Sequence, residues 1–179
     1  MDNITFTISL LIVGSIFGLI YVAYYNKFQK YLIKIKTVEN KVDETLRDRF
    51  DLLSNAAAFV KENIKEDVMH ELSELEKNDL SSFDLDRRLI PITREFYNLK
   101  ATHRELDKMG AFTNIDFALK ENEAQLDGYV SYYNDNIAQF NRLIRIFPSN
   151  IIARISNFKE KTFYDGKNMN DKNVDDFKL

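Results

Sequence analysis

Residues 35–64 read IKTVENKVDETLRDRFDLLSNAAAFVKENI. Advancing about 100° per residue from Val42, the side chains of Ile35, Val38, Leu46, Leu53, Ala56, Val60 and Ile64 fall within about 40° of one line. Asp51 falls on the opposite side. A single apolar stripe held over so many turns marks an amphipathic helix and excludes a strand, whose period is two. No glycine interrupts the chain between Gly18 and Gly110, and Pro91 is the only proline in that interval. The spacing predicts one helix from about Asn26 to about Lys77.

The composition agrees with an all-α chain. Five glycines and two prolines in 179 residues are too few for the many turns of a sandwich or barrel. The absence of cysteine removes disulfides, thiolate metal sites and cysteine nucleophiles. With 25 Lys and Arg against 28 Asp and Glu, the net charge is −3. That balance argues against nucleic acid as a partner, since phosphate neutralisation needs an excess of cations.

Towards the N-terminus, Ile4–Tyr25 reads ITFTISLLIVGSIFGLIYVAYY, without a charge. As a helix it extends about 33 Å, against a hydrocarbon core of about 30 Å. Its hydroxyls (Thr5, Thr7, Ser9, Ser15) can bond to helix carbonyls, and Tyr21, Tyr24 and Tyr25 suit the headgroup zone. A cleaved signal peptide would need a basic segment before the run and a small-residue cleavage site after it. Neither is present. Residues 4–25 are therefore expected to be a transmembrane helix with membrane lipid as its partner. Lys27, Lys30, Lys34 and Lys36 follow the run and Asp2 precedes it. The positive-inside rule then places residues 1–3 as a short non-cytoplasmic tail and the C-terminal domain in the cytoplasm, at the inner membrane. Gly14 and Gly18 form a GxxxG pair, a possible transmembrane dimer contact and route to a homo-oligomer.

Ser81 with Asp84 resembles a capping box. It precedes a heptad-like stripe of Leu85, Leu89, Ile92, Phe96, Leu99, His103 and Leu106, with a kink or restart expected at Pro91. Gly110 is expected to end that helix. Thr113 or Asn114 is expected to cap the next, with the stripe Leu119, Leu126, Tyr133, Ile137, Phe140 and Ile144, up to about Phe147 before Pro148. A short amphipathic segment with Ile151, Ile152, Ile155 and Phe158 follows. Stripes of this kind bury one another. Residues 26–164 are therefore expected to form an elongated antiparallel up-down bundle of three to four long helices, followed by a polar, disordered tail over 165–179.

Two blocks carry a family resemblance. Tyr25-Asn26, Val42-Asp43, Leu46, Arg49, Asp51-Leu52, Asn55 and Val60-Lys61 form the first. The second is Glu121, Glu123, Tyr132–Asp135 (YYND), Asn141, Ile144, Phe147–Asn150 (FPSN) and Ile152-Ala153. Together they resemble the first soluble helix and the last long helix of the LemA family. Leu53-Ser54-Asn55 replaces the family's Ile-Pro-Asn, and its Tyr-Pro turn before the last helix has no clear match. The motif positions carried over are Tyr25, Asn26, Asp43, Arg49, Asp51, Asn55, Tyr133, Asn134, Asn141, Phe147 and Pro148. The resemblance implies a bacterial single-pass membrane protein with an antiparallel helical bundle and no established enzymatic activity. It also implies an association with membrane proteases or envelope stress, hence an accessory or regulatory subunit as the alternative to a scaffold.

Candidate chemistry is sparse. A di-metal carboxylate bundle needs two Glu-x-x-His pairs. Asp67-x-x-His70 has ligand spacing, but Lys100 stands at the matching position before His103, so no metal or other cofactor is expected. His103 lies on an apolar stripe and reads as structural. No Gly-x-Ser-x-Gly or glycine-rich phosphate loop occurs. Tyr129, Tyr132 and Tyr133 read as packing residues. Arg49 lies about 20° from the centre of the first stripe, and a guanidinium there needs partners. Asn122 and Glu123 are the expected ones, on the assumption that the first and last long helices run parallel. The function expected is a non-enzymatic, membrane-anchored protein-binding or scaffolding module.

Overall fold

The computed structural model describes residues 3–75 and 80–165. The expected tail over 165–179 lies, beyond Asp165 itself, outside the described residues. So do Met1 and Asp2. The described chain is all-α: α1 (Asn3–Asn63), α2 (Leu72–Leu75), α3 (Ser82–Thr102), a 3-10 turn (Leu106–Lys108), α4 (Gly110–Arg145) and α5 (Ser149–Ile155). These helices form two compact units. One combines residues up to 37 with those from 133 onward, and the other is 38–132.

In the unit of residues 38–132, the α1 stripe is the core. Val38, Val42, Leu46, Leu53, Ala56 and Val60 are buried, against Leu89, Ile92, Phe96 and Leu99 of α3 and Phe112, Leu119 and Leu126 of α4. Helix α1 stops at Asn63, well short of Lys77. The positions that would continue its stripe are Asp67, Glu71 and Glu74, so a longer helix would bury carboxylates. Instead Lys65 takes a left-handed φ of 62°, and the chain turns to bury Met69, Leu72 and Leu75. The Glu95 carboxylate accepts the Met69 N–H at 2.9 Å and fixes that turn.

Contacts give the helix directions. Ser82 meets Asp43, Arg49 meets Asp86, and His103 meets Glu66. Numbers rise together, so α1 and α3 are parallel. Asn122 meets Thr45, and Phe112 meets Phe59, so α4 runs antiparallel to α1. It is also antiparallel to α3, since Lys100 meets Asp116 and Tyr97 meets Glu123.

The capping expectation at Ser81 is met: its side chain accepts the Asp84 N–H at 3.2 Å. Pro91 sits within α3, which continues through it. It faces solvent, so water can satisfy the carbonyl that the proline leaves unpaired. Helix α3 ends at Thr102 with His103 as C-cap. Gly110 does not end this helix but begins α4. The Leu106–Lys108 turn absorbs the change of direction and keeps Leu106 fully buried.

The other unit packs Phe28 and Ile35 of α1 against Ile137, Phe140 and Leu143 of α4 and Ile152 and Ala153 of α5. Phe28 meets Phe140 edge-on at 5.6 Å, and Phe158 lies 4.7 Å from Phe28. Phe158 is delivered by the end of α5. Asn157 adopts a left-handed φ of 55°. Its N–H bonds to Arg154 O at 3.3 Å and that of Phe158 to Ala153 O at 2.9 Å, the two bonds of a Schellman motif. The Ser149 hydroxyl, fully buried, lies 2.7 Å from Leu143 O and 3.0 Å from Ile146 O. Ile146 O also accepts the Asn150 N–H at 2.8 Å, so the one hydroxyl proton serves chiefly the Leu143 carbonyl in the last turn of α4, which the helix leaves without a partner.

Beyond α5 the chain runs back along α4. Asn141 donates to Lys161 O at 2.7 Å and accepts from Lys161 N at 2.9 Å. Asn134 accepts from Tyr164 N at 2.8 Å. From Asn141 to Asn134 a helix covers about 10 Å. Three residues, 161 to 164, match that distance only when nearly extended.

Candidate functional site

Helix α1 places Asp48, Asp51, Leu52 and Asn55 on one face, at the i, i+3, i+4, i+7 spacing. Helix α4 places Ala118, Glu121, Asn122 and Gln125 on one face at the same spacing. Because the two helices are antiparallel, these faces line an open groove of about 350 Å³. Ala118 supplies little bulk, which helps keep the groove open. Its lining offers three carboxylates and three amides and no cationic side chain.

Beneath the groove lies Arg49, 5% exposed. Its Nε donates to Asn122 Oδ1 at 3.0 Å, and Asn122 Nδ2 donates to Thr45 O at 2.8 Å. Its Nη1 also lies 3.7 Å from the carboxylate of Asp86 in α3. Arg49 and Asn122 are thus brought together, although the assumption behind that pairing is corrected: the helices that carry them are antiparallel. Glu123 takes a different partner. It accepts the Tyr97 hydroxyl at 3.2 Å, and burial, reinforced by this carboxylate, pushes the Tyr97 pKa up to about 12.

A second polar cluster adjoins this one. Asp116 Oδ2 accepts from Lys100 at 2.7 Å and from Lys120 at 2.9 Å. Burial works to raise the Asp116 pKa, but the two ammonium groups outweigh it and hold the carboxyl below its ordinary value. The hydrogen bond to Asp116 in turn raises Lys100. Neither Asp86 nor Asp116 stands out as a lone motif. Asp116, however, is four residues after Phe112 and three before Leu119, on the buried stripe of α4. That position was the available signal, since an acid on an apolar stripe needs a cation.

The other motif positions are distributed. Asp51 and Asn55 line the groove. Asp43 accepts from Arg47 at 2.9 Å and from Ser82 at 3.2 Å. Asn134 and Asn141 hold the extended C-terminal segment. Tyr133 stacks edge-on with Tyr164 at 6.2 Å, and Tyr25 lies 5.8 Å from Phe158. Asn26 is exposed and Pro148 half-buried, while Phe147 is 77% exposed. Asp67 and His70 are an exposed pair at 3.5 Å. Among the described residues no group of three His, Asp or Glu side chains converges as metal ligands. His103 is half-buried, between Glu105 at 3.0 Å and Glu66 at 3.5 Å.

The N-terminal part of α1 is the one helix among the described residues long and apolar enough to cross a membrane. From Asn3 to Ile20 every side chain is exposed. Thr7, Ser9 and Ser15 donate to the carbonyls four residues earlier, at 2.8–2.9 Å. A Cβ added at Gly14 or Gly18 would meet nothing within 4 Å, so this face is open to a second helix. Tyr21, Tyr24 and Tyr25 pack against the α4–α5 core, and Tyr21 shares a 3.1 Å hydrogen bond with Ser156.

No curated protein and no solved structure matches the chain. A family model does match, over residues 38–176, from the α1 stripe through the groove to the segment beyond α5. With most of its length covered, this all-α chain belongs to the LemA family.

Proposed function

We propose that the protein is a membrane-anchored, non-enzymatic binding module. The apolar start of α1 tethers it to the inner membrane, and the positive-inside rule places the bundle in the cytoplasm. The acidic groove on α1 and α4 receives a basic segment of a protein partner. The observation that carries this reading is the groove lining, with three carboxylates and three amides and no cation. Such a surface favours Lys and Arg side chains and backbone N–H groups, and it repels acidic or phosphorylated segments. Asn122, held from below by Arg49, gives the groove a rigid floor, so little ordering entropy is lost on binding.

The test is photocrosslinking from the groove in intact membranes, with a photoreactive residue in place of Gln125. The expected result is one discrete protein adduct, lost when Asp48→Lys and Glu121→Lys are combined. Persistence of the adduct in the charge-reversed protein, with its helicity intact, would refute recognition by charge. Absence of any adduct would refute the groove as the binding site.

A further inference from the structure

The unit that contains α5 leaves four large apolar side chains uncovered around the α4–α5 turn. Ile146 is 43% exposed, Phe147 77%, Ile151 50% and Ile155 67%. Within α5, Ser149, Ile152 and Ala153 are buried and point to the unit's core. Ile151 and Ile155 are one turn apart and, at about 100° per residue, share a face turned about 130° from the one that meets the core. Arg154 is exposed between these two faces.

The orientation of α5 follows from its two ends. Phe28 packs on Phe140, and α1 and α4 are antiparallel. About two turns further on, Tyr21 therefore comes level with Phe147, just before α5. At the other end, Ser156 is hydrogen-bonded to Tyr21 itself. Both ends lie near one height on α1, so α5 lies across the α1 axis. Its buried face meets the core, and its Ile151–Ile155 face looks along α1 towards the segment Ile4–Ile20, where every side chain is exposed.

We propose that α5 and the Ile146-Phe147 turn form a second membrane contact, an interfacial plate seated on the bilayer surface that α1 enters. The proposal rests on the reading of α1 as an anchor. Its occupant is the lipid interface. Ile4–Ile20 extends about 25 Å, roughly 5 Å short of a 30 Å hydrocarbon core. Sinking the plate by that amount completes the span, and it matches the depth of about 5–10 Å at which interfacial helices sit. Charge agrees with lipid. Arg154 can snorkel sideways, and Lys27, Lys30 and Lys159 are exposed nearby, placed to meet anionic headgroups.

The chain has no tryptophan, so single substitutions report one position each. The full chain would be reconstituted in phosphatidylcholine–phosphatidylglycerol vesicles with brominated acyl chains, carrying Ile12→Trp, Ile151→Trp, Ile155→Trp or Phe117→Trp. Phe117, 68% exposed in the other unit, controls for adsorption of any exposed apolar residue. The expected result is loss of about half the emission at 12, 151 and 155, with little change at 117. Quenching at 12 but not at 151 and 155 would overturn the plate and leave the anchor standing. Blue-shifted but unquenched emission at 151 and 155 would mean that protein, such as a second copy, covers the face, and it would also overturn the proposal. Quenching at 117 equal to that at 155 would reduce the contact to non-specific adsorption and overturn it. No quenching at 12 would remove the anchor and the plate with it.

Discussion

Replacing Arg49 with methionine tests whether the network under the groove is structural. The methionine stem fills much of the same space but donates nothing. Arg49 is 5% exposed, so water cannot readily replace it. Asn122 Oδ1 loses its donor, and an orphaned buried acceptor costs about 1–3 kcal/mol. The lost bond to a charged donor is of similar size and overlaps with that cost. The added apolar burial returns part of it, leaving a net loss of about 2–3 kcal/mol. At about 2–4 °C per kcal/mol for a chain of this size, the midpoint falls by roughly 4–12 °C. The assay is thermal unfolding of the full chain in detergent, followed by circular dichroism at 222 nm. Asn122→Leu alone leaves the guanidinium short of a partner and should cost a similar amount. Arg49→Met with Asn122→Leu removes both partners and should recover much of the loss, because a matched apolar pair replaces the polar one. An unchanged or higher midpoint for Arg49→Met alone would refute the reasoning.

Acid should destabilise the protein through Asp116 and Glu160. Both folded values lie below the ordinary 3.8 and 4.5, so their stabilisation is complete above those values and is lost as pH falls through the lower folded ones. Urea midpoints between pH 6 and pH 2 measure this, and Asp116→Asn should flatten the lower part of the curve. Asn157→Gly should stabilise by about 0.5 kcal/mol, since glycine takes the left-handed φ without strain, whereas Asn157→Val should destabilise, both read as shifts in the unfolding midpoint. Single cysteines at Asn3 and Ala58 test the membrane topology. An impermeant thiol reagent on intact cells should label position 3 only, and labelling of 58 alone would reverse the orientation.

The helical content was legible because the α1 stripe repeats from Ile35 to Ile64 and the stripes of α3 and α4 answer it. The end of α1 was legible too, had the stripe been followed to Asp67, Glu71 and Glu74 rather than trusting the lack of glycine and proline. Helix direction was not. Periodicity fixes which face a helix buries, but whether α3 lies parallel or antiparallel to α1 depends on the segment after Asn63, where the burial of Met69 is a tertiary effect. Gly110 misled because glycine both ends helices and tolerates their first turn. At the site, Arg49 is legible from its place on the α1 stripe, whereas Asn122 follows only from the need of a buried guanidinium for partners. Asp86 escaped because it flanks its stripe, and Glu123 was misassigned because Tyr97 competes for it. Lys161 and Tyr164 contribute backbone groups to the asparagines, and backbone groups leave no mark on composition.

The unit built from residues up to 37 and from 133 onward has a consequence for biogenesis. Its two parts are separated by the whole of the other unit, and at about 5–20 residues per second the ribosome takes roughly 5–20 s to make that interval. During this time Phe28 and Ile35 have no partners, while residues 38–132 can already condense. Phe140 and Phe158 arrive last. A nascent chain arrested before residue 133 would therefore present one finished unit and one unfinished, with apolar side chains still uncovered, the kind of surface that chaperones recognise.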